Sequence, residues 1–342
     1  MLSEMNQILL DIGKNVTSNI DLTKLKNKSI LVTGSSGLIG INIVASLRAL
    51  CDCDYGPNKV ICAVNSEIKD YSESIFNFSQ AKIVSGDLSI GIDFLKEHGP
   101  FDYIIHTAGY GQPGKFMADP VKTLKLNTSS TIQLFELLNE NGNFLFLSTS
   151  EVYSGLEFSP HKETDIGTTN TNHPRGCYIE AKRCGEAICC AYNSTGFNAR
   201  SARVALSYGP GTKPDDHRVI NQFIQRAITE NKISLMDMGK AKRTYCYVAD
   251  TVEILWNIIL NGTKPIYNVG GTSKTTIAEL AESIGKVLNV PVIFPNIENK
   301  MSDAPLDVSL DMSVVENEFK KHKYIDFETG LTETIKFQNF LY

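Results

Sequence analysis

Ser29-Ile30-Leu31-Val32-Thr33, followed at once by Gly34-Ser35-Ser36-Gly37-Leu38-Ile39-Gly40, decides the reading of this chain. The first run has an apolar centre of strand length, the second is a glycine-punctuated turn, and a helical period of apolar residues then continues through Leu50. Strand, glycine turn and helix in that order make a cradle for a pyrophosphate. Glycines permit the tight turn and the close approach of backbone N–H groups, and the helix start adds its positive pole. Gly34, Ser36, Gly37, Leu38, Ile39 and Gly40 are therefore the expected phosphate contacts.

Outward from this unit, short apolar runs recur at Val60–Val64, Lys82–Val84, Tyr103–His106, Phe144–Leu147 and Ala199–Leu206. Helical patterns separate most of them, notably 120–139 and 178–192. Alternation of this kind predicts an α/β fold, a Rossmann-type doubly wound parallel sheet covered on both faces. After Tyr208 the pattern changes to a loop with Pro210, Gly211 and Pro214, then helices and isolated strands. The expected organisation is an N-terminal extension (1–28), a dinucleotide-binding domain (29–208) and a smaller, interleaved substrate-binding domain (209–342). The 342 residues agree with about two domains.

Composition narrows the function. With 42% hydrophobic and 21% charged residues the chain is an ordinary globular one, not a fibrous or disordered one. A formal charge of −5 supplies no basic field for nucleic acid, and no apolar run approaches a membrane span. No secretory apolar core precedes the first strand, so a cytoplasmic location is expected. The eight cysteines contain no CxxC and gather no complementary His, so reduced thiols and no metal are expected.

Tyr178-Ile-Glu-Ala-Lys182 places a phenol and an ammonium four residues apart on one helix face. A cation beside a phenol lowers its pKa, which suits Tyr178 to take a proton from a sugar hydroxyl. The pair follows Ser148-Thr149-Ser150-Glu151-Val152-Tyr153, which closes a buried strand, and ligands bind at the carboxyl ends of parallel strands. By contrast His106 reads as a packed strand histidine, and Lys320-Lys-His-Lys323 as a solvated helix end.

These motifs together resemble the short-chain dehydrogenase/reductase superfamily. The Gly-x-x-Gly-x-x-Gly spacing, Gly86-Asp87-Leu88 and His106-Thr107-Ala108-Gly109 carry the likeness. Over nearly the whole chain it is similar to the nucleotide-sugar epimerase/dehydratase group. Within that group it resembles UDP-glucuronate decarboxylases (UDP-xylose synthases), through Asp119–Asn127, Ser148–Tyr153, Pro174–Tyr178, Lys182–Glu186, Arg218-Val-Ile and Gly239–Asp250.

The resemblance implies NAD as cofactor, held also by Asp87, Leu88, Thr107, Ala108, Gly109, Asn127, Tyr178 and Lys182. It implies Tyr178 and Lys182 as the redox pair at sugar C4, with Thr149, Ser150 and Glu151 against the sugar and Arg243 near its acid group. Tyr110, Lys115, Arg175, Leu206, Arg218 and Arg243 are implied as substrate contacts. It further implies a nucleotide-sugar substrate, a UDP-sugar foremost, and a homodimer built on the 120–139 and 178–192 helices.

The chain departs from that pattern at four places. The second strand ends at Asn65-Ser66 instead of the acid that binds the ribose hydroxyls, and no Arg replaces it to receive a 2′-phosphate. Tyr110-Gly-Gln-Pro-Gly-Lys-Phe116 stands where a proline-rich loop is usual. Leu206 replaces Asn within Arg203-Val-Ala-Leu206-Ser-Tyr208-Gly-Pro210, and Met236-Asp-Met238 replaces a glycine-containing strand. The function expected is decarboxylation of a UDP-glucuronate to UDP-xylose or its 4-keto intermediate. The alternatives are a 4-epimerase or 4,6-dehydratase and, from another class, a non-catalytic dinucleotide sensor.

Overall fold

Ser29–Thr33 forms strand β1, buried along its whole length. A computed structural model describes residues 2–296 and 307–342. β1 pairs in parallel with β2 (Lys59–Val64) on one side and β4 (Phe101–His106) on the other. β3 (Ala81–Ser85) extends the first side; β5 (Leu138–Thr149), β6 (Asn198–Val204) and the strand Ile266–Val269 extend the second. All seven strands run parallel, in the order Ile266–Val269, β6, β5, β4, β1, β2, β3. The chain order therefore reverses between β1 and β4. Loops leaving the two strands diverge there and open a crevice at their carboxyl ends. The register places Thr33 opposite both Ala63 and His106, so three strands end side by side beneath that crevice.

Both sheet faces are apolar because successive strand residues point to opposite sides. Ile30, Val32, Ile105, Leu145 and Leu147 enter one core; Leu31, Ile104, Phe144 and Phe146 enter the other. The first face is covered by helix α2 (Leu38–Cys51) and the helix Val248–Asn261, with α1 (Leu2–Asn19) packed over them. α1 buries Met5, Leu9 and Val16 in that core. It approaches α2 so closely that a Cβ on Gly13 would lie 2.4 Å from the Ala45 carbonyl oxygen. The amphipathic pattern of residues 1–28 is thus the buried stripe of a helix packed on the sheet's own cover. The second face is covered by the helices Ser129–Phe135 and Gly176–Ser194.

Two elements differ from their sequence patterns. The helical pattern over 120–139 is two helices, Pro120–Asn127 and Ser129–Phe135, broken at Thr128 (φ −119°, ψ −82°), and β5 already begins at Leu138. Leu138 is drawn into the sheet by pairing with Phe101, whose N–H donates to the Leu137 carbonyl at 2.8 Å. The run Ala199–Leu206 also divides. β6 stops at Val204, and β7 (Leu206–Tyr208) pairs instead with Tyr245–Tyr247. Beyond residue 209 the chain returns the edge strand Ile266–Val269 to the main sheet. It also builds a three-stranded sheet from Thr275–Thr276, Lys242–Arg243 and Asp307–Val308.

Candidate active site

A cavity of about 510 Å³ lies over the carboxyl ends of the strands, from the glycine turn to Glu151 and Arg175. At its floor, Gly34 adopts φ +65°, and a Cβ there would stand 2.8 Å from the Ala108 backbone after β4. At Gly40 a Cβ would lie 2.3 Å from the Gly34 carbonyl oxygen, so helix and turn pack at a distance only glycine allows. Gly37 is the N-cap of α2, and its N–H donates to the Gly34 carbonyl at 2.9 Å. N–H groups in the first turn of α2 have no carbonyl within the helix and carry its positive pole. Thr107 ties β4 to the turn, its hydroxyl donating to the Thr33 carbonyl at 2.5 Å. Asp87, after β3, is held by Ser89 and by Lys122 at 2.7 Å, and these partners keep its carboxyl below the usual range despite partial burial.

Opposite the turn, β5 ends at Thr149, whose hydroxyl caps the short helix Ser150–Tyr153 by accepting from the Glu151 N–H at 3.3 Å. The helix Gly176–Ser194 brings Tyr178 over this strand end. The ring of Phe116, from the helix Pro113–Ala118, stacks on Tyr178 with centroids 4.4 Å apart and planes 2° from parallel. Burial pushes the Tyr178 phenol up to about 12, while a hydrogen bond with Thr149 and the charges of Arg175 and Arg218 work in the opposite direction.

Lys182 lines the same cavity and is anchored to β5. Its Nζ donates to the Leu147 carbonyl at 2.6 Å and lies 5.9 Å from the centre of the Tyr178 ring. Burial brings it down to about 7. Helical spacing puts the two residues on one face, but the flexible stem carries the ammonium past the ring to the strand. Arg175 and Arg218 are the cations whose charges lower the phenol here, with the Lys182 Nζ 5.9 Å from the ring centre.

Glu151 pairs with Arg175 at the far wall. Burial raises the Glu151 carboxyl, with Arg175, Arg243 and His173 working against that shift. Arg218, at the start of the helix Val219–Glu230, is held by Asp216, with Nη2 donating to Oδ2 at 2.6 Å. All the sequence-derived site residues line the cavity except two. Asn127 is wholly buried; its Nδ2 donates to the Thr123 carbonyl at 2.8 Å, and its Oδ1 has no partner among the described residues. Arg243 stands back from the wall on the three-stranded sheet, near enough for its charge to act on Glu151.

His106 is buried between the Thr33 hydroxyl (2.8 Å) and the Leu126 carbonyl (3.0 Å), and burial brings it down to about 4. It is a strand residue, as its position implied. Among the lining residues missed are Phe116 and the charged Lys122, Lys213, Asp215 and Asp216. Lys122 holds Asp87, and Asp215 bridges to Lys115 at 2.7 Å across the mouth. Among the described residues no group of three His, Cys, Asp or Glu is placed to hold a metal ion, and no helix is long and apolar enough to cross a membrane.

The glycine turn, the strand-end crevice and the Tyr178–Lys182 helix meet at one cavity, an arrangement suited to a dinucleotide and a second ligand beside it. This chain belongs to the NAD dependent epimerase/dehydratase family, whose model matches residues 30–270. It is 31% identical over 281 residues to UDP-glucuronic acid decarboxylase 6 of Arabidopsis thaliana, covering 81% of this chain and 79% of that protein. The fold matches a UDP-N-acetylglucosamine 4-epimerase from Methanobrevibacter ruminantium M1 with a TM-score of 0.79 at 23% identity, over 93% of this chain and all of that one. It also matches a dTDP-glucose 4,6-dehydratase from Streptomyces venezuelae solved with NAD, with a TM-score of 0.77 at 22% identity, over 91% of this chain and 96% of that one. At these identities the structural likeness establishes the fold alone. The chain is an enzyme of an NAD-dependent family. The cradle fits that cofactor, because Gly34 and Gly40 let the turn, the end of β4 and α2 pack closely enough to bring the first-turn N–H groups of α2 to the crevice.

Proposed function

We propose that this enzyme oxidises C4 of a UDP-glucuronate-type nucleotide sugar and releases the C6 carboxyl as carbon dioxide, giving UDP-xylose or its 4-keto intermediate. The observation that carries the reading is the charged end of the cavity, where Glu151 and Arg175 pair beside Tyr178 with Arg218 and Arg243 acting on the same region. Identity of 31% to a UDP-glucuronic acid decarboxylase supports it.

Bound NAD would accept the hydride from C4 and lie along the glycine turn, Asp87, Thr107–Gly109 and Lys182. Tyr178 takes the proton of the 4-hydroxyl, and Thr149 holds that oxygen. The resulting 4-ketone lies β to the C6 carboxylate, so the C5–C6 bond breaks with its electron pair passing into the ketone. Carbon dioxide leaves, and C5 then needs a proton. Burial keeps Glu151 prone to protonation, which suits it to that delivery. UDP-xylose would require the hydride to return to C4 and Tyr178 to return its proton to the 4-oxygen. Release before that return would give the 4-ketone, with the hydride left on the cofactor. Arginine offers the bidentate geometry a carboxylate needs, so Arg243 or Arg175 would orient the departing group.

A 4-epimerase is the second reading. It is favoured by Arg243 standing back from the cavity wall, since the decarboxylase reading places Arg243 at the acid group of the sugar. Mass spectrometry of UDP-glucuronate and UDP-glucose incubated separately with the protein and NAD distinguishes the two. Carbon dioxide loss from the glucuronate is the expected result; an intact glucuronate beside an inverted glucose would give the second reading. A homodimer belongs to the proposal, resting on the exposed apolar side chains Val121, Leu124 and Ile132 of the paired helices. Sedimentation at the monomer mass would refute it.

A further inference from the structure

The end of β2 is where a dinucleotide-binding sheet meets the adenosine ribose, and a carboxylate there both binds the 2′-hydroxyl and repels a 2′-phosphate. Here Asn65 and Ser66 occupy that end, both exposed. Facing them is a lysine from far along the chain. Lys213 Nζ lies 3.2 Å from the Ser36 hydroxyl in the glycine turn and 3.3 Å from the Ser66 hydroxyl after β2. Its loop is fastened just before it. Asn42 of α2 donates to the Pro210 carbonyl at 2.9 Å, and the Thr212 hydroxyl donates to the Gly209 carbonyl at 2.9 Å. The lysine is thus held over the ribose end of the crevice by the helix whose N-terminus receives the pyrophosphate.

We propose that Lys213, Ser36 and Ser66 form a site for the 2′-phosphate of NADP, so that this chain takes NADP as well as NAD. Two hydroxyls and an ammonium converging within one hydrogen-bond radius supply charge-assisted donors to a phosphate. The neutral Asn65 removes the repulsion that would exclude it. The Asp215 carboxylate acts on Lys213 and is itself paired with Lys115 at 2.7 Å, while Lys115 and Lys69 act on Lys213 in the opposite sense. Partial burial and these neighbouring lysines hold Lys213 below its ordinary range, an arrangement that an incoming anion relieves. Glu67 is exposed and makes no hydrogen bond or ion pair with these three residues. The inference rests on the family's dinucleotide site and not on which sugar is bound.

Calorimetric titration of nucleotide-free protein with NAD and with NADP tests it. In the wild type, the dissociation constant for NADP is expected within tenfold of that for NAD; a larger ratio overturns the proposal. In Lys213→Ala the ratio of the NADP constant to the NAD constant is expected to rise at least tenfold, and a smaller rise overturns it. Asn65→Asp, which restores the carboxylate without touching the loop, is expected to raise the same ratio at least tenfold while NAD still binds. That variant decides the matter should Lys213→Ala not fold.

Discussion

Beneath the site, Arg203 and Glu186 form a buried ion pair whose disruption has a calculable cost. Arg203 Nε donates to Glu186 Oε1 at 2.9 Å and Nη2 to Oε2 at 2.8 Å, with both side chains less than a tenth exposed. Arg203 Nη1 also donates to the Tyr153 hydroxyl at 2.8 Å, and Ser148 Oγ donates to Glu186 at 2.5 Å. The network therefore joins β5, β6 and the helix of Tyr178, one residue from Thr149. Arg203→Met strands a buried carboxylate and is expected to cost about 3–5 kcal/mol. Unfolding entropy near 2.1 cal/mol/K per residue gives roughly 0.7 kcal/mol/K for this chain, so Tm should fall by about 4–7 °C. The double variant Glu186→Leu with Arg203→Met removes both charges and is expected to recover most of that loss. Differential scanning calorimetry of the wild type, both single variants and the double variant measures the coupling. A single variant within about 1 kcal/mol of wild type, or a double variant as unstable as the two losses added, would refute the reasoning.

Three further outcomes follow from the same geometry. Tyr178→Phe removes the proposed proton acceptor and should lower turnover by about 10²–10⁴-fold while leaving NAD binding intact; parallel loss of binding would assign the residue a structural role. Gly40→Ala drives a methyl against the Gly34 carbonyl and should weaken NAD binding at least tenfold in a titration, or Tm if the turn gives way; an unchanged variant would show that the turn has room. His106, ordinarily near 6.5, is held at about 4. The unfolded chain then takes up a proton that the folded one refuses, so its stability contribution is whole above about pH 6.5 and declines as pH falls toward 4. The decline amounts to about 3 kcal/mol in all. Urea unfolding at pH 7 and pH 5 should show about 2 kcal/mol of this loss in the wild type and a smaller one in His106→Gln; equal losses would contradict it.

Much of the fold was readable because its signals are local. The glycine turn, the run Ser29–Thr33 and the later strand runs each carry their pattern within a few residues. The Tyr178–Lys182 spacing likewise fixes a helix face. What the sequence concealed depends on residues far apart or on how flexible stems lie. Lys122 reaches Asp87 across 35 positions, Asp215 reaches Lys115 across 100, and Lys213 reaches Ser66 across 147. No periodicity encodes such pairs. Nor does an i,i+4 spacing state where a lysine's Nζ points, which is why Lys182 turns to the Leu147 carbonyl instead of the phenol. The helical pattern over 120–139 misled because Leu137 and Leu138 fit a helix stripe as well as a strand end.

The central claim is that a carboxyl-bearing sugar loses that group at the site bounded by Thr149, Glu151, Arg175 and Tyr178. UDP-glucuronate labelled in its carboxyl carbon, incubated with the protein and NAD, tests it by the label recovered as carbon dioxide. Release by the wild type and its loss in Tyr178→Phe is the predicted result. Label retained in the nucleotide sugar, by a folded protein that binds NAD, would contradict the account.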